Sequence, residues 1–119
     1  MNLKEDRKKA ILRRQYTYLK CRHKKNSMAG RLMTFENFYK ISFEPCKYCN
    51  SKYSKIACDE SNVSNIRVKI NGIDRVNSSV GYTKKNSVSC CSVCNYAKHQ
   101  MTTEEFFKWI KRVHKFNKL

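Results

Sequence analysis

Two short cysteine pairs, Cys46-x2-Cys49 and Cys91-x2-Cys94, constrain this chain more than any other feature. Each pair presents two sulfurs near enough to share one ion, and together they make the tetrahedral four-thiolate set that suits Zn2+. Four sulfurs leave no coordination position open, so this ion is read as structural and any chemistry must sit elsewhere. About forty residues separate the pairs, more than the spacer of a short zinc ribbon, so a folded insert is expected between them. Cys90 adjoins Cys91 and could replace it as a ligand, whereas Cys21 and Cys58 read as ordinary thiols.

A metal staple matters because the core is small. The chain has 119 residues, 40% hydrophobic and 29% charged, which is one domain's worth with limited apolar surface to bury. Against 9 acidic residues stand 26 Lys and Arg, a formal charge of +17. Self-repulsion on that scale points to a polyanionic partner, with nucleic acid the first candidate and a membrane surface the second. The membrane is disfavoured because the sequence holds no apolar run of spanning length and no lipidation signal. The opening stretch MNLKEDRKKAIL lacks the apolar segment of a secretory signal, which predicts an intracellular, reducing compartment where cysteines serve as ligands and thiols.

The spacing of Ile11, Leu12, Tyr16 and Leu19 among Lys and Arg predicts a basic helix over residues 4–25. Residues 26–30 break it. Thr34 is placed to cap a short helix carrying Phe35, Phe38, Tyr39 and Ile41, which Pro45 ends. Residues 66–70 alternate apolar and basic, and Asn71-Gly72 follows as a hairpin turn signal, so a second strand should begin at Ile73. Ile66, Val68 and Ile70 should face inward, with Arg67 and Lys69 outward. Residues 77–86 read as a polar, mobile loop. Thr102-x-x-Glu105 is a capping box before Phe106, Trp109, Ile110 and Val113, an amphipathic helix. The economical reading is one α+β unit.

Residues 44–101 also carry an ordered set of short motifs: C-x-Y-C at Cys46, Gly72-Ile73-Asp74-Arg75, Gly81-Tyr82-Thr83, Asn86, and C-x2-C-N ending at Asn95. This set resembles the cysteine-bearing HNH, or ββα-metal, endonucleases of phages, large DNA viruses, mobile introns and rare-cutting restriction systems. It is similar to the subgroup with Asp-Arg where most members have Asp-His or His-His. The resemblance implies a hairpin bearing the catalytic dyad, a loop, and a helix that starts at the second cysteine pair. By position it makes Asp74 and Asn95 the ligands of a catalytic Mg2+ or Mn2+, and Asn86 the loop residue that orients the dyad. A carboxylate and an amide oxygen are hard donors suited to such an ion. The implied activity is metal-dependent hydrolysis of DNA phosphodiester bonds.

The chain departs from the pattern at Arg75, where most members place the histidine that acts as general base. Arginine stays protonated, so its expected role is to clamp the phosphate or to stabilise the pentacovalent transition state. His99, one turn beyond Asn95, is then a candidate base, and His23, Tyr48 and Tyr82 are others. Basic residues expected at DNA are Arg13, Arg14, Arg22, Lys24 and Lys25 in the first helix, Arg67, Lys69, Lys84 and Lys85 around the hairpin, and Lys98. The organisation is read as a basic helical region over residues 1–43, a zinc-stapled core over 44–101, and an amphipathic helix over 102–119 packed on that core. Lysine outnumbers arginine 18 to 8, a hint of an AT-rich genome such as that of a virus, with host cytoplasm or nucleus as the setting. One site per chain fits a nicking monomer or a homodimer cutting both strands.

Two other classes compete with the enzyme. A non-catalytic zinc module of the same fold would share the charge and the cysteines, and Arg75 is its best argument. An RNA-binding zinc protein would need exposed aromatic residues on a sheet, which the 66–75 segment lacks.

Overall fold

The computed structural model of the chain describes residues 2–59 and 65–119. Its first helix, α1 (Leu3–Lys25), begins where the Asn2 side chain accepts the backbone N–H groups of Lys4 and Glu5. The cap satisfies two donors that a helix start leaves unpaired. Ile11, Leu12 and Leu19 recur at helical spacing and are buried, while the basic residues between them reach outward. Thr34 accepts the Asn37 N–H and opens α2 (Phe35–Ser42), which buries Phe35 and Phe38 against Tyr16 of α1 with ring centroids 5.5 to 5.7 Å apart.

Four short strands follow: β1 (Lys55–Ala57), β2 (Val68–Ile70), β3 (Gly72–Arg75) and β4 (Ser87–Cys90). They form two separate antiparallel pairs, β1 with β2 and β3 with β4. Asn71-Gly72 is therefore no hairpin turn, contrary to the sequence expectation. Asn71 is a buried junction between sheets: its backbone N–H donates to Ser42 O, and its side-chain amide donates to the carbonyls of Glu44, Ser51 and Lys52. Three carbonyls outside the strand fix that side chain inside the protein, so the chain passes onward from one sheet to the next. The expected alternation in β2 holds, with Val68 and Ile70 buried and Arg67 and Lys69 exposed.

β3, β4 and α3 (Ser92–Lys98) make the ββα unit. The loop between β3 and β4, expected to be mobile, is stapled by one residue. The Asn86 side chain accepts the Asn77 N–H at 2.9 Å and donates to the carbonyls of Asn77, Val80 and Gly81.

One apolar cluster unites α1, α2, Met33, β1, β2 and Tyr82, so residues 1–43 share their core with the strands instead of standing outside them. A second, smaller cluster holds Cys46, Cys90 and Cys91 with Tyr48 and Cys94. The last helix, α4 (Thr103–Asn117), forms on the capping box of Thr102 and Glu105. It docks by its first turn alone, since Phe106 is buried against Tyr48 while Trp109, Ile110, Val113 and Phe116 stay exposed. The expectation of a helix packed along the core is corrected to this extent.

Candidate metal centre and nucleic-acid cleft

The two cysteine pairs meet although Cys49 and Cys91, whose sulfurs are 3.6 Å apart, stand 42 positions from each other in the chain. All four sulfurs, of Cys46, Cys49, Cys91 and Cys94, lie within 4.8 Å of one another. Four thiolates about 2.3 Å from a tetrahedral ion would stand about 3.8 Å apart, so the set fits Zn2+ with little adjustment. Local structure prepares each pair. The first forms a tight turn in which Cys46 Sγ accepts the Tyr48 N–H and Asn50 takes a left-handed φ of 65°. The second caps α3, with Cys91 Sγ accepting the Cys94 N–H. A bond from Lys47 N–H to Ser89 O ties the first turn to β4.

Burial by itself would raise the Cys46 thiol, but backbone donors and the neighbouring Cys49 outweigh it and hold the group at about 6. A thiolate is therefore ready at neutral pH. Cys90 lies outside the four-sulfur set. Burial first, then the charges of Asp74 and Cys46, push its thiol up, and its Sγ donates to Cys91 O. Cys91, not Cys90, completes the group. Cys21 and Cys58 lie away from it as well.

Asp74, in β3, is buried, and its two contacts both fall on one oxygen. Oδ2 accepts the Tyr48 hydroxyl at 2.8 Å and pairs with Lys98 Nζ at 3.0 Å. Among the described residues Oδ1 takes no hydrogen bond, and it is not among the sealed, unpartnered atoms of the interior. A carboxylate fixed through one oxygen, with the other open, is oriented as metal-ligating carboxylates are. The Tyr48 hydroxyl also meets Thr103 Oγ1 at 3.0 Å; burial, then the Asp74 contact, raises its phenol well above the ordinary value. Tyr48 thus holds its proton as a donor to Asp74.

Lys98 was expected at the DNA surface, and the structure corrects this. The side chain is fully buried, with its ammonium on Asp74 and on the Arg75 carbonyl at 2.9 Å. The charge is buried because two acceptors of β3 compensate for its lost hydration. Asn95, three residues earlier on α3, is exposed and makes no side-chain hydrogen bond among the described residues.

Arg75 projects from the other side of β3. Its guanidinium donates to Ser78 O at 2.8 Å and Val80 O at 3.4 Å and lies 5.4 Å from the Tyr82 ring centre. These acceptors belong to the loop that Asn86 staples, so Asn86 acts on Arg75 through the loop. Arg75 lines a solvent-open cleft with Arg22, Asn26, Ser79 and Tyr82. His23 packs beside it with both ring nitrogens engaged, one receiving the Tyr82 N–H and the other meeting Gly30 O at 3.1 Å. The ring lies against Gly81, where a Cβ would collide with His23 Cε1 and come within 2.8 Å of Ala29 O. His23 is therefore a structural clasp. The Tyr82 hydroxyl accepts from Arg22 at 3.3 Å. His99 ends α3 with a positive φ of 52°, exposed, its ring without a hydrogen bond among the described residues.

Of the other basic residues singled out in the sequence, Arg13, Arg22, Lys24, Lys25, Arg67, Lys69, Lys84 and Lys85 are exposed and Arg14 is half-buried. Arg13 lies over the Phe35 ring at 4.2 Å and Lys69 over Tyr53 at 5.1 Å, so part of this charge is steadied on aromatic faces. Sequence reasoning missed Lys55, which shares a second cleft with Arg22 and Asn95. It also missed the anchoring of Asp74 by Lys98, although the i, i+3 relation of Asn95 and Lys98 puts both on one helix face.

No protein-family profile matches the chain. A stretch of 74 residues, 62% of the chain, is 36% identical to uncharacterized protein R423 of Acanthamoeba polyphaga mimivirus, and the match spans only 12% of that protein's length. Among solved structures, the fold matches the rare-cutting HNH restriction endonuclease PacI, described for an extraordinary mechanism of DNA perturbation, with a TM-score of 0.54 and 18% identity over 84% of this chain and 74% of that one. The α+β architecture with its four-cysteine cluster is thus an HNH-type fold.

Proposed function

We propose that the chain is a metal-dependent DNA endonuclease of the HNH type, hydrolysing phosphodiester bonds at the junction of β3 and α3. The observation that carries this reading is Asp74: one oxygen held by Tyr48 and Lys98, the other open. Zn2+ at Cys46, Cys49, Cys91 and Cys94 serves structure. Asp74 Oδ1 and the Asn95 amide oxygen would hold Mg2+ or Mn2+, which when bound polarises the scissile phosphate and stabilises charge on the leaving oxygen.

The chain's own residues do the rest. Arg75, held by the loop carbonyls that Asn86 organises, binds a non-bridging phosphate oxygen and meets the charge that builds up in the transition state. Tyr48 and Lys98 keep the Asp74 carboxylate in place. His99 is the candidate base whose ring remains free to take a proton from water, because His23 is clasped at both nitrogens and Tyr48 donates to Asp74. The exposed cations of α1 and of the β3–β4 loop give the DNA backbone a positive surface. No helix among the described residues is long and apolar enough to cross a membrane. A reducing compartment, viral DNA metabolism, and action as a nicking monomer or a homodimer belong to the same reading.

A second reading, a non-catalytic DNA-binding module, is favoured by the Asp74–Lys98 pair, which neutralises the carboxylate without a second cation. One experiment separates the two. Supercoiled plasmid is incubated with zinc-loaded protein plus Mg2+ or Mn2+, beside an Asp74→Asn variant that keeps an oxygen for Tyr48 and Lys98 but removes the charge paired with the buried ammonium, at a temperature where circular dichroism shows both proteins folded. Cutting by the parent and a loss of at least about a hundredfold in the variant, with zinc content and DNA binding unchanged, is the outcome expected for a metal ligand. Equal cutting by both would end the assignment of Asp74, and no cutting by either would leave the binding module.

A further inference from the structure

A second cleft runs along α1, beside the one that holds Arg75. Its walls include Gln15, Tyr18 and Arg22 of α1, Lys55 of β1, the Asn71–Gly72 junction, and Asn95 of α3. Arg22 lines both clefts and donates to the Tyr82 hydroxyl in the wall of the Arg75 cleft, so Lys55, Arg22 and Arg75 mark one path along the helix. Among the described residues, neither cleft has a carboxylate in its lining. The loss of hydration first, and the Arg22 charge second, make the Lys55 ammonium easier to deprotonate.

Two cations facing one cleft without an acidic partner are mutually destabilising until an anion enters. The remaining walls are the apolar side chains of Leu19, Phe38, Ile70 and Ile73 together with the Gln15 and Asn95 amides and the Tyr18 phenol, groups that can donate to oxygen. We propose that this cleft seats a DNA backbone phosphate next to the one at Arg75, gripped by Arg22 and Lys55. The seat's place beside the reacting phosphate and the proposed cation rests on the nuclease reading. The seat itself requires only that the protein bind a nucleic-acid strand along α1. Asn95, which lines this cleft, puts the seat beside the proposed cation, so the phosphate bound there adds to the grip on the strand. The first helix, whose basic residues were expected at DNA, thereby becomes one wall of the site.

Lys55 is the informative residue, because its side chain is only partly covered and makes no hydrogen bond among the described residues. Binding of a labelled DNA duplex is measured over a series of salt concentrations with zinc-loaded protein and no added Mg2+ or Mn2+. Lys55→Ala is expected to weaken binding about fivefold or more and to lower the slope of log affinity against log salt by about 1, as for one lost phosphate contact. Lys55→Arg should restore both. In plasmid cutting, Lys55→Ala should raise KM with little change in kcat. Unchanged affinity and slope in Lys55→Ala would overturn the seat, whatever the plasmid assay gives. A Lys55-dependent slope in a protein that leaves plasmid uncut keeps the seat and removes hydrolysis.

Discussion

The Lys98 ammonium has no access to solvent and meets two acceptors of β3, the Asp74 carboxylate at 3.0 Å and the Arg75 carbonyl at 2.9 Å. Removing one member of such a pair leaves an uncompensated buried charge, which costs about 3–5 kcal/mol, whereas replacing both by apolar groups is often neutral. Lys98→Met should therefore destabilise the zinc-loaded protein by about that amount in urea unfolding, and a Lys98→Met, Asp74→Leu double variant should recover much of it. A single variant within about 1 kcal/mol of the parent would remove the pair from any account of the fold. In sequence, Lys98 stands in Cys-Asn-Tyr-Ala-Lys-His among many other basic residues, and nothing local distinguishes it. Its partner lies 24 positions earlier on a strand, so only the packing of α3 over β3 reveals it. Asn71 was illegible for a similar reason. Asn-Gly is a strong turn signal when the backbone must reverse, but here three distant carbonyls engage the amide and the chain continues.

At the scale of elements, the helices were legible because their signals are local. Asn2, Thr34 and Thr102 each sit at a helix start with the side chain turned to unpaired N–H groups, and the apolar spacing beyond them repeats every three or four residues. Which face finds a partner is not a local property, and α4 illustrates the difference. Its stripe reads as a core face, yet only its first turn meets the body of the protein, through Phe106 and Phe107 against Tyr48. The stripe's two ends should therefore respond differently to truncation. Phe106 is 3% exposed and Phe116 is 84% exposed. Phe106→Ala should cost about 3–5 kcal/mol, as for an enclosed ring, while Phe116→Ala stays within about 0.5 kcal/mol. Equal losses in chemical denaturation would mean that the whole stripe is covered in solution.

At the scale of the molecule, the protein is extended: its radius of gyration is 15.8 Å, against about 13.5 Å for a compact chain of this length, and its principal extents are 53 × 33 × 23 Å. The apolar cluster of α1, α2, β1 and β2 supplies one centre of cohesion, while β3, β4 and α3 gather around sulfurs instead of a comparable core. The four cysteines were the most legible part of the site because ligand spacing is itself a local signal. The Arg22–Lys55 cleft was not, because its walls come from six separate elements. A structural Zn2+ contributes on the order of 10 kcal/mol, comparable with the whole stability of a small domain. Without it, the four sulfurs within 4.8 Å have no shared ligand, while a charge of +17 acts to expand the chain. Cys49→Ser should therefore lose zinc by elemental analysis and lose its helical circular dichroism, and DNA cutting should vanish with the fold. Cys21→Ser, which lies outside the four-sulfur set, should change neither zinc content nor structure. A Cys49→Ser protein that keeps its dichroism without metal would contradict the assignment, because the apolar cluster would then suffice to hold both centres together.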